Sequence, residues 1–317
     1  MKTAILKRML RKILTTILDK PLAMPSAHEE EFLAELRAAF RSLKPMTESP
    51  AEPFWARNME LLRELILNDN PREFLRWDVI SDTMFVGNTP FVLTELKYLK
   101  RRADWNTRWR NAIKESPVGH PVPFIFCRNS SGNLISHAYH VAKFEESTGL
   151  QVDEMEWVFE FGGGYGSMCR LFFNLGFRGK YIIYDLPPIS ALQTYFLKTN
   201  DIPIVSRNTA LKSQASVVCA SDIGHLRTVF EEHHSFRKTM FIATWSISES
   251  PMALRNEILS LVSGLNSFLI AYQDRFGGIN NLDFFDDWKK ANNRVTWDSW
   301  RINHIPGNTY LVGKTAD

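Results

Sequence analysis

The chain has 317 residues, of which 44% are hydrophobic and 23% charged, and its formal net charge is +3 at pH 7. These values are those of a soluble globular protein with one large or two modest domains, and so small a charge gives no reason to expect nucleic acid as a partner. Three widely separated cysteines without a Cys-x-x-Cys pair argue against a disulfide or zinc site and predict reduced thiols in a cytoplasmic protein.

The first 19 residues predict an amphipathic helix. Apolar pairs recur at helical spacing from Ile5 to Leu18, and basic residues occupy the other face: Lys2, Lys7, Arg8, Arg11 and Lys12. The run is too short and too charged to span a bilayer. We expect it to pack on its own protein or on the twin subunit of a homodimer; the alternative is peripheral contact with an anionic membrane surface.

The pattern stays helical up to about residue 150. Prolines separate helices predicted at 27–43, 54–68, 71–77, 90–102 and 104–115. Residues 129–133 predict a loop that caps a helix over 134–147, which Gly149 ends.

From residue 155 onward, strands alternate with helices. The predicted strands are 156–161, 181–185, 216–220, 239–245 and 267–273, and the predicted helices are 166–176, 188–199, 223–233 and 251–263. This alternation predicts a Rossmann-like α/β fold, a parallel sheet with helices on both faces. Two apolar runs at 300–305 and 309–313 flank Pro306-Gly307-Asn308 and predict a closing antiparallel hairpin.

A glycine-rich turn follows the first of these strands. Glu160 lies at the strand end, and Gly162, Gly164 and Gly166 follow it before the next helix. Because glycine lacks a Cβ and tolerates positive φ, the turn predicts a ligand that lies across it. Asp185 ends the second strand, where nucleotide-type cofactors present their ribose hydroxyls.

The residues around the turn favour one class of cofactor. The dinucleotide-binding motif Gly-x-Gly-x-x-Gly has glycine or alanine at its last position, but this chain has Ser167 there. Glu160 would repel a pyrophosphate and attract a cation or an amino group. S-adenosylmethionine has a sulfonium and an ammonium but no phosphate, so the turn favours it over NAD.

At these residues the chain resembles the class I S-adenosylmethionine-dependent methyltransferases and, more narrowly, a bacterial family of sugar O-methyltransferases. The resemblance spans roughly residues 55–315 and is carried by four stretches: 133–140, 160–168, 184–187 and 243–249. It implies a five-stranded parallel sheet finished by a hairpin, and methyl transfer to a small-molecule acceptor. It also implies a set of cofactor-binding residues: Glu160, Gly162, Gly163, Gly164, Tyr165, Gly166, Asp185 and Leu186.

We expect residues 1–150 to form a helical cap that contributes to substrate binding, and residues 151–317 to form the catalytic domain. The expected acceptor is a small polar molecule, above all a sugar or sugar nucleotide. Three alternatives remain open at this point. They are a natural-product O- or N-methyltransferase, a catalytically silent adenosyl-binding protein and a dinucleotide oxidoreductase.

Three polar or aromatic residues follow later strands. Asp222 lies where this fold commonly binds the adenine amino group, and it equally suits the cap of the next helix. Trp245 would wall the cofactor pocket. Glu249 would bind acceptor hydroxyls or accept a proton, with a capping box formed with Ser246 as the alternative.

His137 and His140 share one face of the helix predicted over 134–147. Because histidine titrates near neutrality, either is a candidate base for a hydroxyl, and His140 is preferred because it lies nearer the catalytic domain along the chain. A group of aspartates after the fifth strand has the spacing of a solvated helix face, so no metal site is predicted: Asp274, Asp283, Asp286 and Asp287.

Overall fold

The computed structural model describes residues 16–19, 21–44, 53–205, 215–231 and 237–316. Most of the amphipathic helix predicted over 1–19 lies outside these ranges, so its homodimer or membrane contact stays a prediction. Within the described ranges, no helix is long and apolar enough to cross a membrane.

The helices agree closely with the sequence pattern. They are α1 (Ala27–Ser42), α2 (Pro53–Asn68), α3 (Asp78–Ser81), α4 (Pro90–Arg101), α5 (Arg110–Ala112), α6 (Gly132–Thr148), α7 (Ser167–Asn174), α8 (Pro187–Thr199), α9 (Ile223–Glu231), α10 (Met252–Leu261) and α11 (Asn281–Ala291). Two predicted helices differ in kind. The segment 71–77 is a 3₁₀ helix over Pro71–Arg76, and 104–115 is a π turn over Trp105–Trp109 that continues into α5.

The strands are β1 (Pro123–Phe124), β2 (Cys127–Ser131), β3 (Trp157–Phe161), β4 (Lys180–Tyr184), β5 (Ser216–Ala220), β6 (Thr239–Thr244), β7 (Ser267–Gln273), β8 (Arg275–Phe276), β9 (Ile279–Asn280), β10 (Val295–Arg301) and β11 (Asn308–Thr315). Seven of them form one sheet in the order β10-β11-β7-β6-β3-β4-β5. The strands β3 to β7 pair in parallel, and β11 runs antiparallel to both β7 and β10. This arrangement confirms the predicted fold class.

Two boundaries differ from the sequence prediction. Part of the loop predicted at 129–133 is strand, because β2 pairs antiparallel with β1, and α6 already begins at Gly132. The helix begins at Gly132 because Ser131 caps it: the Ser131 hydroxyl accepts a hydrogen bond of 3.1 Å from the Leu134 amide. A Cβ added to Gly132 would lie 2.1 Å from the carbonyl oxygen of Gly87. The first strand of the final hairpin is also displaced from the prediction at 300–305: β10 pairs with β11 from Val295 to Arg301, and residues 302–305 belong to the turn.

The sheet separates two apolar clusters. Alternate residues of a strand point to opposite faces, so Val158 packs on the side of the N-terminal helices and Phe159 on the other side. The first cluster runs without a break from Phe40 of α1 to Val312 of β11. The helices of residues 27–148 therefore cover one face of the sheet, and the domain boundary at residue 150 stays a prediction.

Candidate cofactor and active site

A cavity of about 860 Å³ lies at the carboxyl ends of β3, β4 and β6, beneath the N-terminal helical region. Most of the site residues expected from the sequence line it: His137, His140, Glu160, Gly162, Gly163, Gly164, Tyr165, Asp185, Leu186, Trp245 and Glu249. Gly166 and Asp222 are not among the residues that line it. Parallel strands explain the convergence, because their carboxyl ends meet at one edge of the sheet.

The glycine turn has the backbone geometry that its sequence predicts. Gly162, Gly164 and Gly166 have φ values of 73°, 54° and 96°, which side-chain-bearing residues rarely adopt. A Cβ on Gly162 would lie 2.2 Å from the Cβ of Ser246. The close approach at Gly162 is therefore to the neighbouring turn of the protein, a reason that the sequence alone did not supply.

Gly166 and Asp222 have local structural roles. Gly166 is the N-cap of α7. A Cβ added to Gly166 would lie 3.1 Å from Cγ of Leu197, so the glycine leaves room for that side chain. Asp222 is exposed, and its Oδ1 accepts a hydrogen bond of 2.6 Å from the backbone amide of His225. Helix capping is thus the observed role of Asp222, and its contact with adenine stays a prediction.

Tyr165 directs its ring into the core. The ring lies 4.9 Å from that of Phe196 and 5.7 Å from that of Phe74, and its hydroxyl accepts a hydrogen bond of 3.0 Å from Asn133 Nδ2. Asn133 Oδ1 also accepts a hydrogen bond of 3.0 Å from the backbone amide of Val86. Tyr165 therefore joins the glycine turn to the start of α6 and to a segment of the cap that lines the cavity.

Two carboxylates stand on either side of the glycine turn. Glu160 is only 3% exposed, and its Oε2 accepts a hydrogen bond of 2.9 Å from the Tyr181 hydroxyl. Asp185 accepts the backbone amides of Leu186 at 2.8 Å and Gly164 at 3.1 Å. Neither carboxylate forms an ion pair with any described residue.

The surroundings of these carboxylates disfavour negative charge. Burial raises the pKa of Glu160 to about 8, and the nearby charge of Asp185 adds to the rise. Burial also raises the pKa of Asp185 to about 7, although two backbone amides oppose it. Two acids of this kind in one cavity fit a ligand that brings positive charge.

A second turn, after β6, lies against the glycine turn. Trp245 holds φ at 66° without being glycine, and its backbone amide donates to the Ala271 carbonyl at 2.6 Å. Its indole Nε1 donates to Asn308 Oδ1 at 2.6 Å. The Ser246 hydroxyl donates to the carbonyl of Phe161 at the end of β3. Contacts from β7, β11 and β3 thus fix this turn against the cavity.

Glu249 ends the short 3₁₀ helix that follows Trp245. Its Oε1 accepts a hydrogen bond of 2.8 Å from Gln273 Nε2, and burial raises its pKa to about 7. A capping box is not observed, because the Ser246 hydroxyl bonds to Phe161 and the Glu249 amide bonds to the Trp245 carbonyl. Glu249 is therefore a cavity carboxylate that titrates near neutrality.

A buried arginine that sequence reasoning missed braces this turn. Arg255 donates to the carbonyls of Ser248 at 2.7 Å and Ser250 at 3.3 Å, and to Asn281 Oδ1 at 2.7 Å. Asn281 in turn donates to the carbonyl of Gln273 at 2.8 Å. An arginine within an amphipathic helix ordinarily indicates a solvent-facing position, so no local signal reveals this role.

His140 is buried and His137 is half-buried, and both are neutral at physiological pH. Removal of the two rings from water lowers the pKa of His137 to about 4 and that of His140 well below its usual range, and the neighbouring His137 and His304 lower the pKa of His140 further. His140 Nδ1 is hydrogen-bonded to the Tyr310 hydroxyl, and its ring lies 5.3 Å from that of Trp245.

The direction of the hydrogen bond with Tyr310 depends on the tautomer of His140. His140 Nδ1 is the hydrogen-bond partner of the Tyr310 hydroxyl. When that hydroxyl donates, a neutral ring carries its own proton on Nε2; when Nδ1 carries the proton, Nε2 is free to accept one. The role of His140 as a base stays a prediction.

The described residues contain no group of three or more His, Cys, Asp or Glu that could hold a metal ion. The aspartates of α11 instead form surface ion pairs, Asp286 with Lys289 at 2.6 Å and Asp287 with Lys290 at 2.9 Å. All three cysteines are free, and only Cys169 is fully buried.

No protein-family model matches the chain, and no curated protein matches it. Among solved structures, the methyltransferase domain of bacterial CtHen1 is 9% identical, with a TM-score of 0.42 over 58% of this chain and 99% of that one. The N-terminal domain of human METTL16 in complex with S-adenosylhomocysteine is 9% identical, with a TM-score of 0.40 over 58% of this chain and 71% of that one.

A third similar structure is the Burkholderia thailandensis 1,6-didemethyltoxoflavin-N1-methyltransferase, which was crystallised with its substrate and S-adenosylhomocysteine. It is 13% identical, with a TM-score of 0.36 over 57% of this chain and 79% of that one. These likenesses are too distant to assign a cofactor or an acceptor, so the residues of the cavity must carry that assignment.

Proposed function

We propose that this protein is an S-adenosylmethionine-dependent methyltransferase that methylates a hydroxyl group of a small polar acceptor, a sugar or sugar nucleotide. One observation carries the proposal. Glu160 and Asp185 are carboxylates of raised pKa, without an ion-pair partner among the described residues, on either side of a glycine turn in one cavity. A ligand cation beside Glu160 favours its ionised form, whereas the pyrophosphate of a dinucleotide would disfavour it.

The residues of the cavity fit the cofactor group by group. Asp185 suits the ribose hydroxyls, because a strand-end carboxylate accepts hydrogen bonds from both. Glu160 suits the ammonium group, and the glycine turn allows the ligand to approach the backbone. The bound cofactor supplies a methyl group that its sulfonium activates for displacement. The protein must then position the acceptor oxygen, exclude water and remove the hydroxyl proton.

Glu249 is the group of this cavity best suited to remove that proton. A general base works best when its pKa lies near the working pH, and burial places the pKa of Glu249 at about 7. Gln273 holds one carboxylate oxygen at 2.8 Å and leaves the other for the acceptor. When its proton is on Nε2, His140 donates to an acceptor oxygen instead. This assignment reverses the preference for His140 that chain position alone suggested.

A thermal-shift panel tests the cofactor. We expect S-adenosylmethionine and S-adenosylhomocysteine to raise the melting temperature, because a ligand that binds only the folded state stabilises it, and NAD and NADP to leave it unchanged. Asp185→Asn and Glu160→Gln should each weaken the response. Glu154→Gln is the matched control, because Glu154 is an exposed carboxylate paired with Lys238. Stabilisation by NAD without any response to S-adenosylhomocysteine would contradict the proposal.

The acceptor is tested by transfer of a labelled methyl group. The purified protein is incubated with methyl-labelled cofactor and a panel of sugars, sugar nucleotides, phenols and amines, and the products are located by mass spectrometry. We expect a methyl ether on a sugar hydroxyl. Methylation confined to an amine would keep the cofactor assignment and overturn the acceptor.

A further inference from the structure

A second cleft, of about 570 Å³, lies on the N-terminal helical region and shares no lining residue with the large cavity. Three cations line it, Lys100 at the end of α4, Arg110 at the start of α5 and Arg128 of β2. Trp105 and Phe126 are part of the same wall, and none of the described residues that line the cleft is acidic.

The positive charge here is local and uncompensated. Residues 97–128 contain eight lysines and arginines against two acids, in a chain whose net charge is only +3. Both acids are already engaged, Asp104 with Arg102 at 3.1 Å and Glu115 with Arg170 at 3.4 Å. The three cations of the cleft form no ion pair with any described residue. Such a surface attracts anions.

Two large apolar side chains project beside these cations. Phe124 pairs with Cys127, so Ile125 and Phe126 form the two-residue loop of the β1–β2 hairpin. Ile125 is 41% exposed and Phe126 is 60% exposed. We call these two residues the hairpin tip.

The backbone of the hairpin tip is held in place by one side chain. Asn88 donates from Nδ2 to the Pro123 carbonyl at 2.9 Å and accepts the Ile125 amide on Oδ1 at 2.8 Å. The tip therefore presents its apolar groups from a fixed backbone, which lowers the entropy that must be lost on binding.

We propose that the hairpin tip and the basic cleft together form a docking surface for an anionic lipid bilayer. Ile125 and Phe126 enter the boundary between headgroups and acyl chains, and Lys100, Arg110 and Arg128 contact lipid phosphates. The aliphatic side chain of Ile125 offers no stacking to a nucleic-acid base, so the tip suits acyl chains better than a single strand.

Vesicle co-sedimentation of the full-length protein tests this proposal. The probes are vesicles of phosphatidylcholine alone and of phosphatidylcholine with about 30% phosphatidylglycerol. We expect binding to the anionic vesicles only, with at least a roughly tenfold loss between about 0.05 M and about 0.5 M salt, because salt screens the attraction.

Two variants separate the apolar and the charged contributions. Ile125→Ser with Phe126→Ser, and Lys100→Gln with Arg110→Gln and Arg128→Gln, should each reduce binding at least about tenfold. The apolar control is Phe54→Ser, because Phe54 is also 60% exposed. The charge control is Arg227→Gln with Lys238→Gln and Lys290→Gln, cations that pair with acids elsewhere.

Loss of binding in both test variants and its retention in both controls would support the proposal. Absence of vesicle binding by the unaltered protein would overturn it. So would test variants that bind as the unaltered protein does, since another segment would then carry the contact. Displacement by dissolved RNA together with insensitivity to the tip variant would identify the surface as a nucleic-acid site instead. Unchanged melting temperatures establish that the variants are folded.

Discussion

The turns after β3 and β6 lie side by side at the edge of the cavity and reach similar backbone geometry by different means. Gly162 has a φ of 73° and Trp245 a φ of 66°. Glycine adopts this conformation at little cost, whereas a bulky residue stores strain on the order of 1–3 kcal/mol. The Trp245 turn persists because β3, β7 and β11 hold it through hydrogen bonds.

The contrast separates two routes to a functional turn. The conformation of the glycine turn is specified locally, so the sequence alone predicts it. The conformation of the Trp245 turn is imposed by its surroundings. The turn gives the cavity the side chain of Trp245 as a wall and, four residues later, the carboxylate of Glu249. The two turns are also interdependent, because the missing Cβ of Gly162 leaves room for Ser246.

The largest effect should come from the second turn. Glu249→Gln removes the base and should lower turnover by roughly 10²–10⁴-fold while cofactor affinity stays nearly unchanged. In the unaltered enzyme the carboxylate must be deprotonated to act, so turnover should rise with pH up to about 7 and then level off. His140→Ala and His137→Ala are tested in the same assay. If the histidine variants lose turnover and Glu249→Gln keeps it, the base is a histidine.

The protonation of Glu160 beside the first turn should make the stability of the cofactor-free protein depend on pH. The pKa of Glu160 is raised from 4.5 to about 8, so the folded state holds a proton that the unfolded state releases. Stability should therefore fall as pH rises from about 4.5 to about 8, by up to about 1.4 kcal/mol for each pKa unit. Urea unfolding at several pH values measures this slope. Glu160→Gln should reduce this slope, to which Asp185 and Glu249 also contribute, and Glu154→Gln should not change it; equal slopes in all three proteins would refute the assignment.

Adding a Cβ at Gly162 should destabilise the folded protein, because the two turns touch at this position. Gly162→Ala combines an unfavourable φ with a collision at Ser246 and should cost about 2–4 kcal/mol of stability. Gly149→Ala is the control, because Gly149 also has a φ of 73° but open space around it. The added Ser246→Gly change should recover part of the loss. Denaturant unfolding measures the loss of stability in each variant. Equal losses in Gly162→Ala and Gly149→Ala would show that backbone strain alone accounts for the effect.

The smallest effect should come from one of the bonds that hold the Trp245 turn. Trp245→Phe keeps an aromatic wall but removes the donor to Asn308, so the free energy of unfolding should fall by about 1 kcal/mol. Denaturant unfolding measures the change. Asn308→Ala made in the Trp245→Phe background should then cost less than the same change in the unaltered protein; additive losses would mean that the bond contributes nothing.

Much of the fold was predictable because its signals are local. Strands β3 to β7 are apolar runs, since helices cover both faces of the sheet, and the helices show the period of their buried stripe. The start of β10 at Val295 was missed because its pairing with the distant Thr315 sets it, whereas the start of α6 was missed although its cap, Ser131, is a local signal.

The sequence by itself determined the glycine turn, the strand-end acids Glu160 and Asp185, and the convergence of the predicted residues on one edge of the sheet. These follow from φ preferences and burial periodicity, which depend on near neighbours. Only the tertiary structure decided the ionisation of Glu249, the bracing by Arg255 and the hydrogen-bond partner of His140, Tyr310, which lies 170 positions away. Proton affinity depends on burial and on partners in space, and residue spacing along the chain does not encode either.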